Sequence, residues 1–167
     1  MEERLGETTC SAPAAEPAGA AFAHAPSPGP DASRPAPGDP LLDRVFGRDE
    51  IAVVRHEISA RLITAGLAGD RLHGFVLAVN EVITNVVLHA GGQGRVLLRL
   101  TGGWAWCTVT DSGPGLPSKY LAMPAIPEAF EVGGRGVWLA HQLCDELTVA
   151  TGPIGTTIGL GIALPRT

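Results

Sequence analysis

Four short clusters in this chain carry residue types that could recognise a nucleotide. Asp111-Ser112-Gly113-Pro114-Gly115 follows an apolar run. A strand ending in an aspartate with two nearby glycines lets backbone approach a ligand closely while one carboxylate accepts a hydrogen bond. Such a carboxylate suits an exocyclic amino group, for example the N6 of adenine. Gly133-Gly134-Arg135-Gly136 stands just before a helical pattern, where exposed N–H groups at a positive helix end suit phosphate. Gly155-Thr156-Thr157 adds a turn with two hydroxyls. Glu81 and Asn85 are four residues apart, and Glu81 is the only charged residue between Arg71 and Arg95. That spacing places both on one helix face.

Taken singly, each cluster also has an ordinary explanation. A lone helical carboxylate is more often solvated than placed in a pocket. An Asp-Ser-Gly sequence is a common β-turn, a glycine run is a common linker, and Gly-Thr-Thr is common hairpin chemistry. Their order within the elements that must hold them therefore decides the reading.

Arg48 to Ala65 has Ile51, Val54, Ile58, Leu62 and Ala65 at three- and four-residue spacing, which predicts a helix ended by Gly66. A second helix is expected from Gly69-Asp70, with Asp70 as its cap, to about Ala90, where Gly91-Gly92 stops it. Its core stripe reads Leu72, Val76, Val79, Ile83, Val86 and Ala90. Arg95–Thr101 and Trp104–Thr110 form a hairpin through Gly102-Gly103. A Pro-bearing stretch to Val132 reads as a functional loop. Gly136–Cys144 returns to helical spacing, and Glu146–Thr151 with Thr156–Leu164 closes the chain as a second hairpin. Leu41–Phe46 is a weaker strand candidate. In the last strand Gly159, Gly161 and Ala163 leave one face flat, as if something packs closely there. Strands in hairpins predict an α+β fold with an antiparallel or mixed sheet and helices on one face.

Composition bounds the rest. The chain has 167 residues and a formal charge of −5. Its acidity without a basic stripe argues against nucleic acid as the main partner. Residues 1–40 are dominated by Ala, Pro, Gly and Ser, with Phe22 the one aromatic. They read as a disordered tail, leaving residues 41–167 as the folding domain. No apolar run reaches eighteen residues, so no membrane span is expected, and a cytoplasmic location follows. Cys10, Cys107 and Cys144 have no metal-ligand spacing and read as two buried thiols and one in the tail. Trp104, Trp106 and Trp138 read as packing residues, and His56 as a surface or satisfied histidine.

In this order, the clusters resemble the four boxes of the GHKL ATPase superfamily, over about Leu41 to Pro165. The phrases that carry it are Ala78-Val79-Asn80-Glu81-Val82-Ile83-Thr84-Asn85, Val109-Thr110-Asp111-Ser112-Gly113-Pro114-Gly115 and Gly134-Arg135-Gly136-Val137-Trp138-Leu139. Within the superfamily the chain is most similar to the bacterial anti-sigma factor and serine-kinase family, the RsbW-like proteins. The resemblance implies a two-layer α/β sandwich of the Bergerat type, with a mostly antiparallel mixed sheet and an ATP lid spanning Leu116–Val132. It implies ATP and Mg²⁺ as cofactors, with Asn85 the Mg²⁺ ligand and Glu81 the general base towards a protein serine or a water. It implies Asp111 and Gly113 at adenine, with Thr156 or Thr157 completing that pocket. Gly115, Gly134, Arg135, Gly136 and Val137 belong to the same nucleotide-binding set. His89, one turn beyond Asn85, either borders the phosphates or, more commonly for such a residue, supplies a cation at the helix end.

The implied partners are a sigma factor, a STAS-domain antagonist, or both, and family members are often homodimers. The helix has Leu88 where many superfamily members carry a base, and the lid-region cations are Lys119 and Arg135. Two alternatives stand beside the kinase reading. One is a nucleotide-binding interaction module without phosphoryl transfer. The other is the catalytic half of a split histidine kinase, against which stands the lack of a paired dimerisation helix around His56.

Overall fold

A computed structural model describes residues 40–117 and 134–166. The expected tail, most of the expected lid with Lys119, Gly133, and the side chain of Arg135 lie outside the described residues. The chain divides into two units, Met1–Ser33 and Arg34–Thr167, and all that follows concerns the second.

The elements run β1 (Leu42–Phe46), a 3-10 turn (Arg48–Glu50), α1 (Ile51–Thr64), α2 (Gly69–His89), β2 (Gly94–Thr101), β3 (Trp104–Asp111), α3 (Gly134–Leu143), β4 (Glu146–Gly152) and β5 (Gly155–Ala163). The strands form one sheet in the order β1-β2-β3-β5-β4, and each of its four pairings is antiparallel. The β2–β3 turn works because Gly102 and Gly103 both take positive φ, at 57° and 79°. That is the conformation a two-residue hairpin loop requires and that side chains resist.

Helix α1 buries Val54, Ile58 and Leu62 completely, one turn apart. It ends as expected at Gly66, with φ of 90°. The Gly66 N–H donates to Ile63 O and the Leu67 N–H to Leu62 O, while Leu67 is buried. These are the paired bonds and apolar contact of a Schellman stop. Helix α2 differs at its start from expectation. Asp70 does not cap it: Ala68 holds the extended cap position without a side-chain bond, and Asp70 falls in the first turn. There its carboxylate still faces the positive end of the helix dipole.

The inner face of the sheet buries Val96, Leu98, Ala105, Cys107, Val109, Ile158, Leu160 and Ile162. Helix α2 packs over it, burying Leu72, Phe75, Ala78, Val79, Val82, Ile83, Val86 and Val87. By length and apolarity α2 alone among the described helices is long enough to cross a bilayer, but these contacts make it a core helix. The flat glycine face of β5 is filled from within the chain. A Cβ at Gly161 would lie 2.9 Å from the Trp106 ring and 3.0 Å from Glu146 Cβ. Trp104 stacks beside Trp106 with ring centroids 6.1 Å apart.

One polar clamp joins distant segments. Arg71 at the start of α2 meets the Asp145 carboxylate at 2.6 Å, and Asp145 also accepts the Ala163 N–H at 2.8 Å. The Arg71 hydrogen bond, aided by the Ala163 N–H, holds the Asp145 carboxyl below its ordinary range.

Candidate functional site

Three elements converge at one end of the sheet. Helix α2 presents Glu81, Asn85 and His89 in a line at four-residue spacing, the first two half-buried and His89 exposed. Strand β3 ends at Asp111, and antiparallel pairing sets Thr156 of β5 directly opposite it. Helix α3 begins at Gly134 and buries Val137. Between them lies a cavity of about 270 Å³ lined by Val82, Asn85, Val86, His89, Ala90, Asp111, Gly115, Leu116, Pro117, Val137, Thr156 and Ile158. Most of that lining is apolar, with a few convergent polar groups, which is the usual makeup of a small-molecule site.

The Asp111 carboxylate is oriented by backbone. Its Oδ1 accepts the Gly113 N–H at 2.8 Å and the Thr156 N–H at 3.3 Å. Among the described residues both donors fall on Oδ1, so Oδ2 remains an acceptor for a ligand. Glycines make this arrangement possible. Gly113 is seated against the end of α2, where a Cβ would stand 2.7 Å from both Ala90 Cα and Ala90 Cβ. Gly115, at φ of 85°, lies against Gly152 O, and Gly155, at φ of 151°, lies against Asp111 O. The two turns therefore interlock through backbone.

On the helical side, Gly136 in the first turn of α3 meets Asn85. A Cβ there would collide with Asn85 Nδ2 and come within 3.5 Å of Glu81 Cβ. Glu81 thus stands beside α3 but does not line the cavity. Thr157 points away: its hydroxyl pairs with Thr110 Oγ1 at 3.2 Å, on the face of the sheet opposite the helices. Of the two threonines, Thr156 is the one at the cavity. Gly134 opens α3, and the Arg135 side chain belongs to the part left undescribed.

Sequence reasoning passed over Thr151 of β4. Its Oγ1 accepts the Leu116 N–H at 2.7 Å and lies 3.0 Å from Thr156 Oγ1. The available signal was the hairpin register, which sets Thr151 opposite Thr156.

With this geometry in view, the family described as the histidine kinase-like ATPase domain matches residues 48–162. The chain belongs to that family. The match contains every element from α1 to β4, all of β5 but Ala163, and all the cavity-lining residues. Among solved structures, the chain is similar to the RsbU and RsbW domains of Rv1364c from Mycobacterium tuberculosis, at 19% identity and a TM-score of 0.52. That likeness covers 75% of this chain and 32% of the other, and it shows the fold. It is also similar to the histidine kinase domain of the E. coli osmosensor EnvZ (17% identity, TM-score 0.46, 77% and 91% covered). A third is the histidine kinase domain of the Erythrobacter litoralis EL346 blue-light activated histidine kinase (27%, 0.43, 68% and 64%). No curated protein sequence matches the chain.

Proposed function

We propose that this histidine kinase-like ATPase domain binds ATP with Mg²⁺ and acts as an anti-sigma regulator that phosphorylates a serine of a STAS-type antagonist. The observation that carries nucleotide binding is the Asp111 carboxylate, fixed through Oδ1 at the end of an apolar cavity. Its second oxygen is an acceptor for the adenine amino group, and the apolar walls suit a purine. The cavity's size and lining fit the base.

Among the described residues no three His, Cys, Asp or Glu side chains gather into a metal cage. Mg²⁺ does not ask for one, since it is commonly held by one or two protein oxygens together with substrate phosphates. The Asn85 amide oxygen, beside Gly136 at the start of α3, is the protein ligand this reading assigns. When bound, Mg²⁺ neutralises phosphate charge. Gly134, Gly136 and Val137 bring backbone N–H groups of the first turn of α3 to the phosphates. In this reading His89 borders the phosphates, and Lys119, Arg135 or a partner supplies the cation at the γ-phosphate.

Glu81 is the proposed general base. It would take the proton from a protein serine hydroxyl as the serine oxygen bonds to the γ-phosphorus and the bond to the β-phosphate oxygen breaks, releasing ADP. A sigma factor and the STAS protein would then compete for the same regulator. The RsbW domain named in the M. tuberculosis structure is consistent with this. The tail and domain division at residue 40, and a cytoplasmic location, belong to the same proposal.

One observation favours a second reading, a module that binds nucleotide without transferring phosphate. Glu81 stands outside the cavity lining, and His89 is the only side chain there able to carry positive charge among the described residues. The two readings separate on incubating the full chain with Mg²⁺, γ-labelled ATP and STAS proteins. Serine labelling that disappears in Glu81→Ala and Asn85→Ala supports the kinase. Tight ATP binding without label transfer to any partner favours the module. No nucleotide binding removes both.

A further inference from the structure

Thr151 joins two parts of the cavity wall. Its Oγ1 accepts the Leu116 N–H, and it lies 3.0 Å from the hydroxyl of Thr156, the one buried polar side chain among the described residues. A threonine hydroxyl has one proton and two acceptor sites. With the Leu116 N–H donating into Thr151 Oγ1, the Thr151 proton can donate to Thr156 Oγ1. The Thr156 proton is then free for the cavity that Thr156 lines. In that sense the bonds run from Leu116 N–H through Thr151 to Thr156 and into the cavity.

This sense gives the wall a fixed pattern. Asp111 is an acceptor, and Thr156, held to it through the Thr156 N–H at 3.3 Å, is a donor. An adenine edge offers the matching pattern, an amino donor beside a ring-nitrogen acceptor. A 6-oxopurine edge offers the reverse, a carbonyl acceptor beside an N–H donor.

We propose that Thr151 is a positioning residue for base selection: it fixes the Thr156 hydroxyl as a donor and so makes the cavity favour a 6-aminopurine over a 6-oxopurine. The same hydroxyl anchors the backbone at Leu116, so selection of the base and the start of the segment after β3 share one hydrogen-bond relay. The inference rests on the nucleotide-binding reading above.

The test measures ADP and IDP binding, each with Mg²⁺, to the full chain by titration calorimetry. The unaltered protein should prefer ADP. Thr151→Val, nearly the same shape without the hydroxyl, should lose about five- to tenfold in ADP affinity, as for one neutral hydrogen bond, and narrow the ADP-to-IDP preference by a similar factor. Thr151→Ser should keep both affinity and preference. Thr151→Ala serves if the valine variant does not fold, and should behave as the valine variant does. An unchanged ADP-to-IDP ratio in the valine or alanine variant overturns the inference even if both affinities fall, because a purely structural residue would weaken both alike. So does a serine variant that behaves like valine. An unaltered protein that binds neither nucleotide is a different result: it removes the proposed function first and the inference with it.

Discussion

Replacing Gly113 by alanine should separate the site from the fold, and the geometry gives the size of the effect. The new Cβ would lie 2.7 Å from Ala90 Cα and Cβ and 3.1 Å from Asp111 Oδ1. Ordinary carbon contacts sit at about 3.5–4.0 Å, so the turn must retreat from the end of α2 by roughly 1 Å. Ala90 cannot yield easily, because its N–H is bonded to Val86 O and Val86 is in the core. The retreat falls instead on the Gly113 N–H, which now holds Asp111 Oδ1 at 2.8 Å. Overpacking of this kind costs about 1–3 kcal/mol. If nucleotide binding requires the unshifted turn, that strain appears as a loss of about ten- to a hundredfold in ADP affinity, since each factor of ten is about 1.4 kcal/mol.

Calorimetric titration with ADP and Mg²⁺ measures the loss, and a thermal melt shows whether the chain still folds. Gly152→Ala is the matched control. It ends β4 beside the site without lining the cavity, has no atom within 4 Å of its added Cβ and does not take a positive φ, so its affinity should stay within about twofold of the original. The reasoning fails if Gly113→Ala binds ADP as tightly as the original protein. It also fails if Gly152→Ala loses as much.

Three further outcomes are expected. Asp145→Asn should lower stability by about 1 kcal/mol near neutral pH, a figure reduced for the solvent exposure of the Arg71 pair. Because folding depresses the Asp145 carboxyl below 3.8, its stabilisation is present above that value and fades as pH falls through the lower folded one; denaturant melts of the two proteins should therefore converge in strong acid. Burial raises both Cys107 and Cys144 thiols to about 12, so in a Cys10→Ala background neither should react appreciably with a thiol reagent at pH 8 until the protein unfolds. Fast native labelling at Cys107 contradicts that burial. Phe75→Ala, at a fully buried position on α2, should cost about 3–5 kcal/mol in urea unfolding, and a loss below 1 kcal/mol contradicts the packing described.

Local signals with one physical meaning were legible in the chain. Gly66 and the Gly102-Gly103 pair take the left-handed conformations that their positions called for. Periodicity located both long helices, but it understated the core of α2. Phe75, Ala78 and Val82 are buried beyond the expected stripe, because α2 touches α1, α3 and the sheet at once and so buries a wider arc than a helix against one neighbour. Asp70 misled because a side chain that commonly caps helices stands equally well in the first turn, and only the backbone distinguishes the two. Thr151 was hidden for another reason. It shares the inward face of β4 with Leu147 and Val149, where a threonine reads as ordinary strand packing, and its contact with Leu116 arises only when segments 35 residues apart fold together.

The sheet end and the helical side of the site differ in how they are held. At the sheet end, the turns carrying Asp111 and Thr156 interlock through backbone: Gly115 lies against Gly152 O and Gly155 against Asp111 O. Neither turn can shift without the other, so the proposed base-recognition groups form one rigid unit seated on the end of α2. On the helical side, Asn85 and Glu81 meet α3 through Gly136, where the contact is a side-chain amide against a backbone. An amide can rotate, whereas interlocked carbonyls cannot. The carboxyl end of α3 is held by a polar route, since the residues after Leu143 include Asp145, bound to Arg71 and Ala163. A nucleotide bound as proposed would thus find its base pocket already formed. Rearrangement on binding would fall on Asn85 and the first turn of α3, where the phosphates are assigned.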